Sequence, residues 1–253
     1  MGKTRISAVS FLNTLPFVYG INNSGMLNDF ELLLDVPSEC ARKFNNKEVD
    51  IALVPVAAIK NLSSYNLLND FCIGSVGNVR TVLLLSQVPL KQISKIHLDY
   101  HSLTSINLVK ILSQHYWHIE PEWVNLNELT ENDIALFESI VAIGDKTFEL
   151  TEKYTYIYDL SAEWKNFTGL PFVFACWVAQ KKVEDAKIRE ITNALDWGVR
   201  NKREAIEKLF DKQRFPCVNI DEYLEKNIDF IFNDQKHIAL DLFLNYMNKR
   251  LNK

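Results

Sequence analysis

No apolar run in this 253-residue sequence reaches the roughly 18–20 residues that a membrane helix needs; the longest cover residues 51–59 and 170–179. Glycine is scarce, at 8 residues, and neither a P-loop nor a G-x-G-x-x-G turn occurs, so nucleotide-driven chemistry has no sequence support. H-E-x-x-H and G-x-S-x-G are also missing, which removes zinc hydrolysis and the hydrolase nucleophile elbow. The four cysteines, Cys40, Cys72, Cys176 and Cys217, are scattered with no C-x-x-C pair, as expected of reduced, packed thiols. His97/His101 and His115/His118 have spacings a metal site uses, yet no Cys, Asp or Glu completes a ligand set, so no metal is expected. Positive charge is not in excess: 28 Lys+Arg against 32 Asp+Glu give a formal charge of −4. A nucleic-acid or anionic-membrane surface is thereby disfavoured, while a local basic cleft for an anionic small molecule stays open. Lys3-Thr4-Arg5 leads straight into an alternating apolar segment with none of the features of a signal peptide, so a cytoplasmic location is expected.

What is present is a set of short apolar, often β-branched runs at residues 6–11, 30–36, 51–56, 71–76, 79–85, 96–100, 140–143 and 173–178. They read as buried strands. Helix-length segments fall between several of them, at 38–46, 102–116 and about 126–138, and this alternation predicts an α/β protein with mainly parallel sheets. Ser38, after Pro37, suits a helix N-cap, as does Ser102 before the apolar face of Ile106, Leu108, Val109, Ile111 and Leu112. Such N-termini offer free N–H groups and the positive end of a dipole to a carboxylate, or are plain caps facing solvent. From Gln180 onward the chain is charged and helical, with Ile188, Ile191, Leu195 and Val199 on one face and His237, Leu240, Leu244 and Met247 on another.

Seven collinear segments carry a more specific signal: S-F-L-N-T-L-P-F (10–17), D-V-P-S-E-C-A (35–41), V-D-I-A-L-V-P-V-A-A-I (49–59), G-N-V-R-T-V-L-L-L-S (77–86), L-D-Y-H-S-L-T-S (98–105), I-G-D (143–145) and T-G-L-P-F-V-F-A-C-W (168–177). Together they resemble the chorismate dehydratase family of the futalosine route to menaquinone. The resemblance implies a type II periplasmic-binding-protein fold: two α/β lobes joined by two crossing strands, with the ligand in the cleft between them. The crossings would be residues 79–86 and 172–179, giving one lobe of 1–84 plus 176–253 and a second of 85–175. It also implies loss of water from chorismate to give 3-[(1-carboxyvinyl)oxy]benzoate, with chorismate as small-molecule partner and no cofactor, metal, nucleic acid or membrane. The oligomeric state is not legible.

On this resemblance Asn13 and Thr81 are the catalytic candidates, and Ser10, Ser38, Arg80, Ser102, Thr104, Ser105, Gly144 and Asp145 the substrate contacts. Asn13 would hold the leaving hydroxyl or a carboxylate; as an alternative it caps the turn that follows. Arg80 would pair with a carboxylate, or else brace the lobes. Ser102, Thr104 and Ser105 would cradle a carboxylate, although Leu103 stands where the family's usual S-R-T-S has arginine. Asp145 would position a hydroxyl or cap a helix beginning at Lys146. Because ionisable side chains are few among these residues, the enolpyruvyl carboxylate of the substrate is the expected proton acceptor, ahead of Asp145 and His101. The rival readings are a non-catalytic carboxylate-binding or sensor protein, and a later enzyme of the same route and fold acting on cyclised futalosine.

Overall fold

The computed structural model of the chain describes residues 3–99, 102–126 and 137–251. Six strands form one sheet: β1 (Thr4–Val9), β2 (Phe30–Asp35), β3 (Ile51–Pro55), β4 (Asn66–Ser75), β10 (Phe172–Ala179) and β11 (Asp229–Ile231), in the order β11-β4-β10-β3-β1-β2. Five form another: β5 (Val82–Ser86), β6 (Lys95–Asp99), β7 (Glu122–Leu126), β8 (Ser139–Ile143) and β9 (Tyr156–Asp159), in the order β7-β6-β8-β5-β9. Both sheets repeat one plan. A parallel triplet, β2-β1-β3 or β7-β6-β8, is continued by an antiparallel strand, β10 against β3 and β5 against β8. The expected α/β class holds.

The chain divides into two compact units, Met1–Gly74 with Val173–Asp234 and Ser75–Phe172 with Gln235–Lys253. The last helix, Asp234–Leu251, reads in the sequence as a continuation of the first lobe, yet it packs in the second unit. There Trp164 meets Phe243 and Tyr246 edge-on, and its indole N–H donates to the Pro171 carbonyl at 3.1 Å. An apolar helix face does not specify which sheet it covers, and the aromatic socket around Trp164 decides it.

In the first unit, β3 is buried at every position, which explains its unbroken apolar run Ile51-Ala-Leu-Val-Pro55. Phe17, from the helix Leu15–Asn23, packs edge-on against Phe71, Trp177 and Phe230. The same helix meets the helix Asp185–Arg200 at two glycines: a Cβ on Gly20 would stand 2.0 Å from the Ala194 carbonyl oxygen, and one on Gly198 2.0 Å from that of Pro16. In the second unit Leu83, Leu85, Ile140, Ala142, Leu150 and Tyr154 form a core cluster.

Several boundaries move. The helix Pro37–Asn45 begins one residue earlier than expected, with Val36 at the N-cap and no side-chain cap bond; Pro37 suits the first helical position because its fixed φ is helical and its missing N–H would be unpaired there. Ser38 therefore lies inside the helix. The strand expected from residue 79 begins at Val82, because Arg80 takes a left-handed backbone (φ 64°). β7, β9 and β11 are short and mixed in polarity, and their alternation is too brief to mark them. Of the helix expected at about 126–138, Leu126 ends β7 and residues 127–136 lie outside the described residues.

Gly198→Ala is expected to cost roughly 1–3 kcal/mol through overpacking. At this chain length that lowers the Tm by about 2–4 °C per kcal/mol in thermal melts. Gly77→Ala, where an added Cβ meets nothing within 4 Å, is the control and leaves the melt nearly unchanged.

Candidate functional site

The candidate residues of the first unit gather at the carboxyl ends of its parallel strands, the end at which open α/β sheets bind ligands. Ser10 follows β1, and its N–H donates to the Asp35 carbonyl at the end of β2 at 3.0 Å. Asn13 lies in a one-turn 3-10 helix, Leu12–Thr14. The turn is tied down by its neighbour: the Thr14 hydroxyl lies 2.5 Å from the Val9 carbonyl oxygen and 2.7 Å from that of Phe11. The Asn13 amide, half-buried, has no protein partner among the described residues. It is therefore not the cap. Ser38 is exposed, three residues after Asp35, which belongs to an ionic cluster that sequence reasoning missed. There the buried Ser7 hydroxyl donates to Asp35 at 2.7 Å and the Lys43 ammonium meets the same carboxylate at 2.6 Å. Burial pushes the adjacent Cys40 thiol up to about 12, despite a hydrogen bond to Ser7, so it is inert as a nucleophile.

In the second unit the register brings the candidates to one end of the sheet. Val82 pairs with Ile143 and Leu83 with Asp159, so residues 80–81, 144–145 and 159 cluster where β5 starts and β8 and β9 finish. β6 runs parallel to β8, which puts Ser102 at that same end. Ser102 is the N-cap of the helix Leu103–Leu112, as expected: its oxygen accepts from the Ser105 N–H at 3.2 Å and shares a hydrogen bond with the Ser105 hydroxyl at 2.8 Å. Ser102, Thr104 and Ser105 are all buried. His101 lies outside the described residues.

Arg80 is held at both backbone groups. Its N–H donates to the Asp159 carboxylate at 2.7 Å and its carbonyl accepts from the Thr147 hydroxyl at 3.1 Å. These two bonds hold a left-handed conformation that costs a side-chain-bearing residue about 1–2 kcal/mol. The one hydrogen of the Thr147 hydroxyl is shared with the Gly144 carbonyl, 2.8 Å away, and the left-handed turn of Gly144 (φ 75°) sends its own N–H to the Thr81 carbonyl at 2.9 Å. Asp159 does double duty as the cap of the helix Leu160–Thr168, accepting from the Ser161 and Ala162 N–H groups. Burial pushes its carboxyl above the ordinary aspartate range although four amide N–H groups, from Arg80, Val79, Ala162 and Ser161, pull the other way.

Sequence reasoning missed Thr147 altogether; Asp159 was legible as an Asp before L-S-A-E, a helix-start pattern. Asp145 does not cap the short helix Thr147–Leu150, whose N-cap is Lys146 and which has no side-chain cap bond: the Thr147 and Phe148 N–H groups donate instead to the backbone carbonyls of Gly144 and Asp145. The Arg80 guanidinium stands 5.6 Å from the Phe148 ring centroid and has no carboxylate within ion-pair distance among the described residues. It opens on a cavity of about 560 Å³ shared with Asn78, Asp159, Glu163 and Asn166. That lining includes neither Thr81 nor the Ser102–Ser105 turn. Among the described residues no three His, Cys, Asp or Glu side chains are placed to hold a metal ion.

Asp159→Ala is expected to lose roughly 1–2 kcal/mol with the cap. Because the folded-state pKa of Asp159 lies above the ordinary 3.8, the stability it contributes is complete below that pH and declines as pH rises through the folded value. Asp159→Asn removes that titration, so in urea melts its stability relative to wild type rises with pH across this range; a constant difference refutes the assignment.

Comparison with known proteins agrees with this architecture. A chorismate dehydratase from Thermus thermophilus is 27% identical over 204 residues, covering 72% of this chain and 73% of that protein. A solved structure from Archaeoglobus fulgidus superposes with a TM-score of 0.73 at 15% identity, covering 99% of this chain and 98% of that one. The alkanesulfonate-binding protein of Xanthomonas axonopodis pv. citri, bound to MOPS, superposes with a TM-score of 0.63 at 11% identity over 98% of this chain and 94% of its own. A Candida albicans protein described as having the generic periplasmic-binding-protein fold gives 0.62 at 13% identity, over 100% and 95%. The fold is thus that of the two-lobed periplasmic binding proteins. With the family model for menaquinone biosynthesis matching residues 4–249, the chain belongs to the menaquinone biosynthesis family.

Proposed function

We propose that this protein is a hydro-lyase that eliminates water from chorismate to give 3-[(1-carboxyvinyl)oxy]benzoate, on the futalosine route to menaquinone. Family membership and the dehydratase relative support the substrate. The observation that carries the reading is Asn13, a half-buried amide without a protein partner at the carboxyl end of β1. A free amide there both donates and accepts, which is what a substrate bearing carboxylate and hydroxyl requires.

In the reaction the ring carbon bearing the enolpyruvyl ether loses its proton, and that C–H electron pair becomes a ring π bond. The neighbouring C–O bond breaks, and the departing hydroxide takes up the proton that was removed from the ring and leaves as water. Aromatisation supplies the driving force, so the protein's part is orientation and proton handling. The enolpyruvyl carboxylate is the proton acceptor, turned over the ring by Asn13 and Thr81. The other carboxylate takes the buried N-terminal turn at Ser102, Thr104 and Ser105, where the backbone N–H groups and the helix dipole serve in place of the arginine that Leu103 replaces. The pinned Arg80 backbone and the Gly144 turn fix Thr81, since the Gly144 N–H reaches the Thr81 carbonyl. Ser10 and Ser38 are peripheral polar contacts, and Asp145 lies beside the Thr81 turn without serving as base.

Purified protein incubated with chorismate and no added cofactor is expected to yield a substituted-benzoate spectrum and a product lighter by one water. Asn13→Ala is expected to lower kcat by about a hundredfold, the effect of removing one positioned donor, with little change in chorismate binding. Asp145→Asn and His101→Ala retain turnover; loss of turnover with intact binding in either assigns the base to that side chain. Binding without turnover by the wild type favours a carboxylate-binding sensor instead.

A further inference from the structure

At the far end of the second sheet, where β7 begins, lies a cavity of about 440 Å³ that the proposed reaction does not use. The helix Leu103–Leu112 runs back from the Ser102 end and opens into a wide π turn, Ser113–Trp117, closed by His118 in a left-handed conformation (φ 52°). Such turns recur at functional sites. Lys110 and Ser113 come to the cavity from this segment, Trp123 from β7 and Arg250 from the last helix.

Two cations with no counter-charge define its chemistry. Lys110 lies 5.3 Å from the Trp123 ring centroid, and neither it nor Arg250 has a carboxylate within ion-pair distance among the described residues. Glu120, the one carboxylate of the lining, is exposed. Among the described residues the buried Arg250 Nη1 has no hydrogen-bond partner, nor has the hydroxyl of Ser113, a residue only 2% exposed. Each cation sits in the last turn of its helix, where the dipole favours positive charge. That accounts for their sign but leaves the buried Arg250 Nη1 and Ser113 hydroxyl without acceptors among the described residues, a costly state for a buried donor. Burial also lowers the pKa of both, and in Lys110 the nearby Arg250 adds to the effect.

We propose that Lys110, Ser113 and Arg250 form a second anion site, which takes the phosphoryl group of a small phosphorylated metabolite. A guanidinium fork, an ammonium and a hydroxyl on two helices match three terminal oxygens and a double charge better than the two coplanar oxygens of a carboxylate. The cavity exceeds a bare phosphate, and the Trp123 face offers a flat wall for the organic remainder.

Calorimetric titration of the full chain with inorganic phosphate tests this site. Binding is expected with a Kd on the order of 1 mM or tighter, weakened about tenfold by Lys110→Gln or Arg250→Gln, with acetate binding at least as weakly as phosphate does to these variants. Chorismate turnover without phosphate stays at the wild-type rate in both variants, which separates this outcome from the fate of the proposed reaction. In the wild-type protein, phosphate is expected to slow phenylglyoxal modification of Arg250 but not of the exposed Arg203, mapped by mass spectrometry. No phosphate binding, equal affinity across the variants, acetate binding as tight as phosphate, or an unprotected Arg250 each overturns the proposal.

Discussion

A parallel strand triplet ends in an unpaired edge, and the closure of that edge is what organises this protein. β3 and β8 are each met by an antiparallel strand, β10 with Cys176 opposite Val54 and β5 with Leu84 opposite Val141. Neither strand comes from the chain segment immediately before its partner. β10 arrives more than a hundred residues after β3, and β5 precedes β8 by a long excursion through β6 and β7. Both are buried along nearly their whole length, because pairing on both sides removes their backbone groups from water while both faces carry core side chains. The chain must therefore pass between its two units at 74/75, 172/173 and 234/235, and the positions of the polar turns follow from where those strands begin and end.

The geometry around Arg80 is the local result. Antiparallel pairing of β5 with both β8 and β9 puts the residues before β5 beside the residues after β8 and β9. Thr147 and Asp159 then reach the Arg80 backbone from those two partners and stabilise a conformation that an isolated peptide would leave. Backbone held in this way fixes the residue immediately before Thr81, whose carbonyl is in turn bonded by the Gly144 N–H. The same economy marks the Ser102 turn, where two hydroxyls and a helix N-terminus present donors with no formal charge.

The two ends of the second unit differ in kind. At the Ser102 end the donors are backbone amides and hydroxyls, suited to holding an anion that must react and leave. At the opposite end, Lys110 and Arg250 bring full charges into a half-buried wall lined by an aromatic ring. The helix Leu103–Leu112 spans the two ends, with Ser102 as its N-cap and Lys110 in its last turn.

Much of this was readable in the chain. The apolar runs of β3, β5, β8 and β10 announce themselves because a strand buried on both faces has few polar positions to interrupt it, and Ser102 declares its helix because capping is a local bond within four residues. The seven motif segments placed the family. Hidden from a linear reading were β7, β9 and β11, whose pairing depends on neighbours rather than on their own pattern, and the lodging of the last helix in the second unit through Trp164. Arg80 read as a carboxylate partner, yet its backbone proved to be the anchored part, since a left-handed residue between two strands is imposed by hydrogen bonds from Thr147 and Asp159, 67 and 79 residues away. Composition, strand content and caps are properties of short stretches and survive in the sequence. Which amide is left without a partner, as at Asn13, and which cations face no carboxylate, as at Lys110 and Arg250, depend on what distant segments bring alongside, and folding alone settles that.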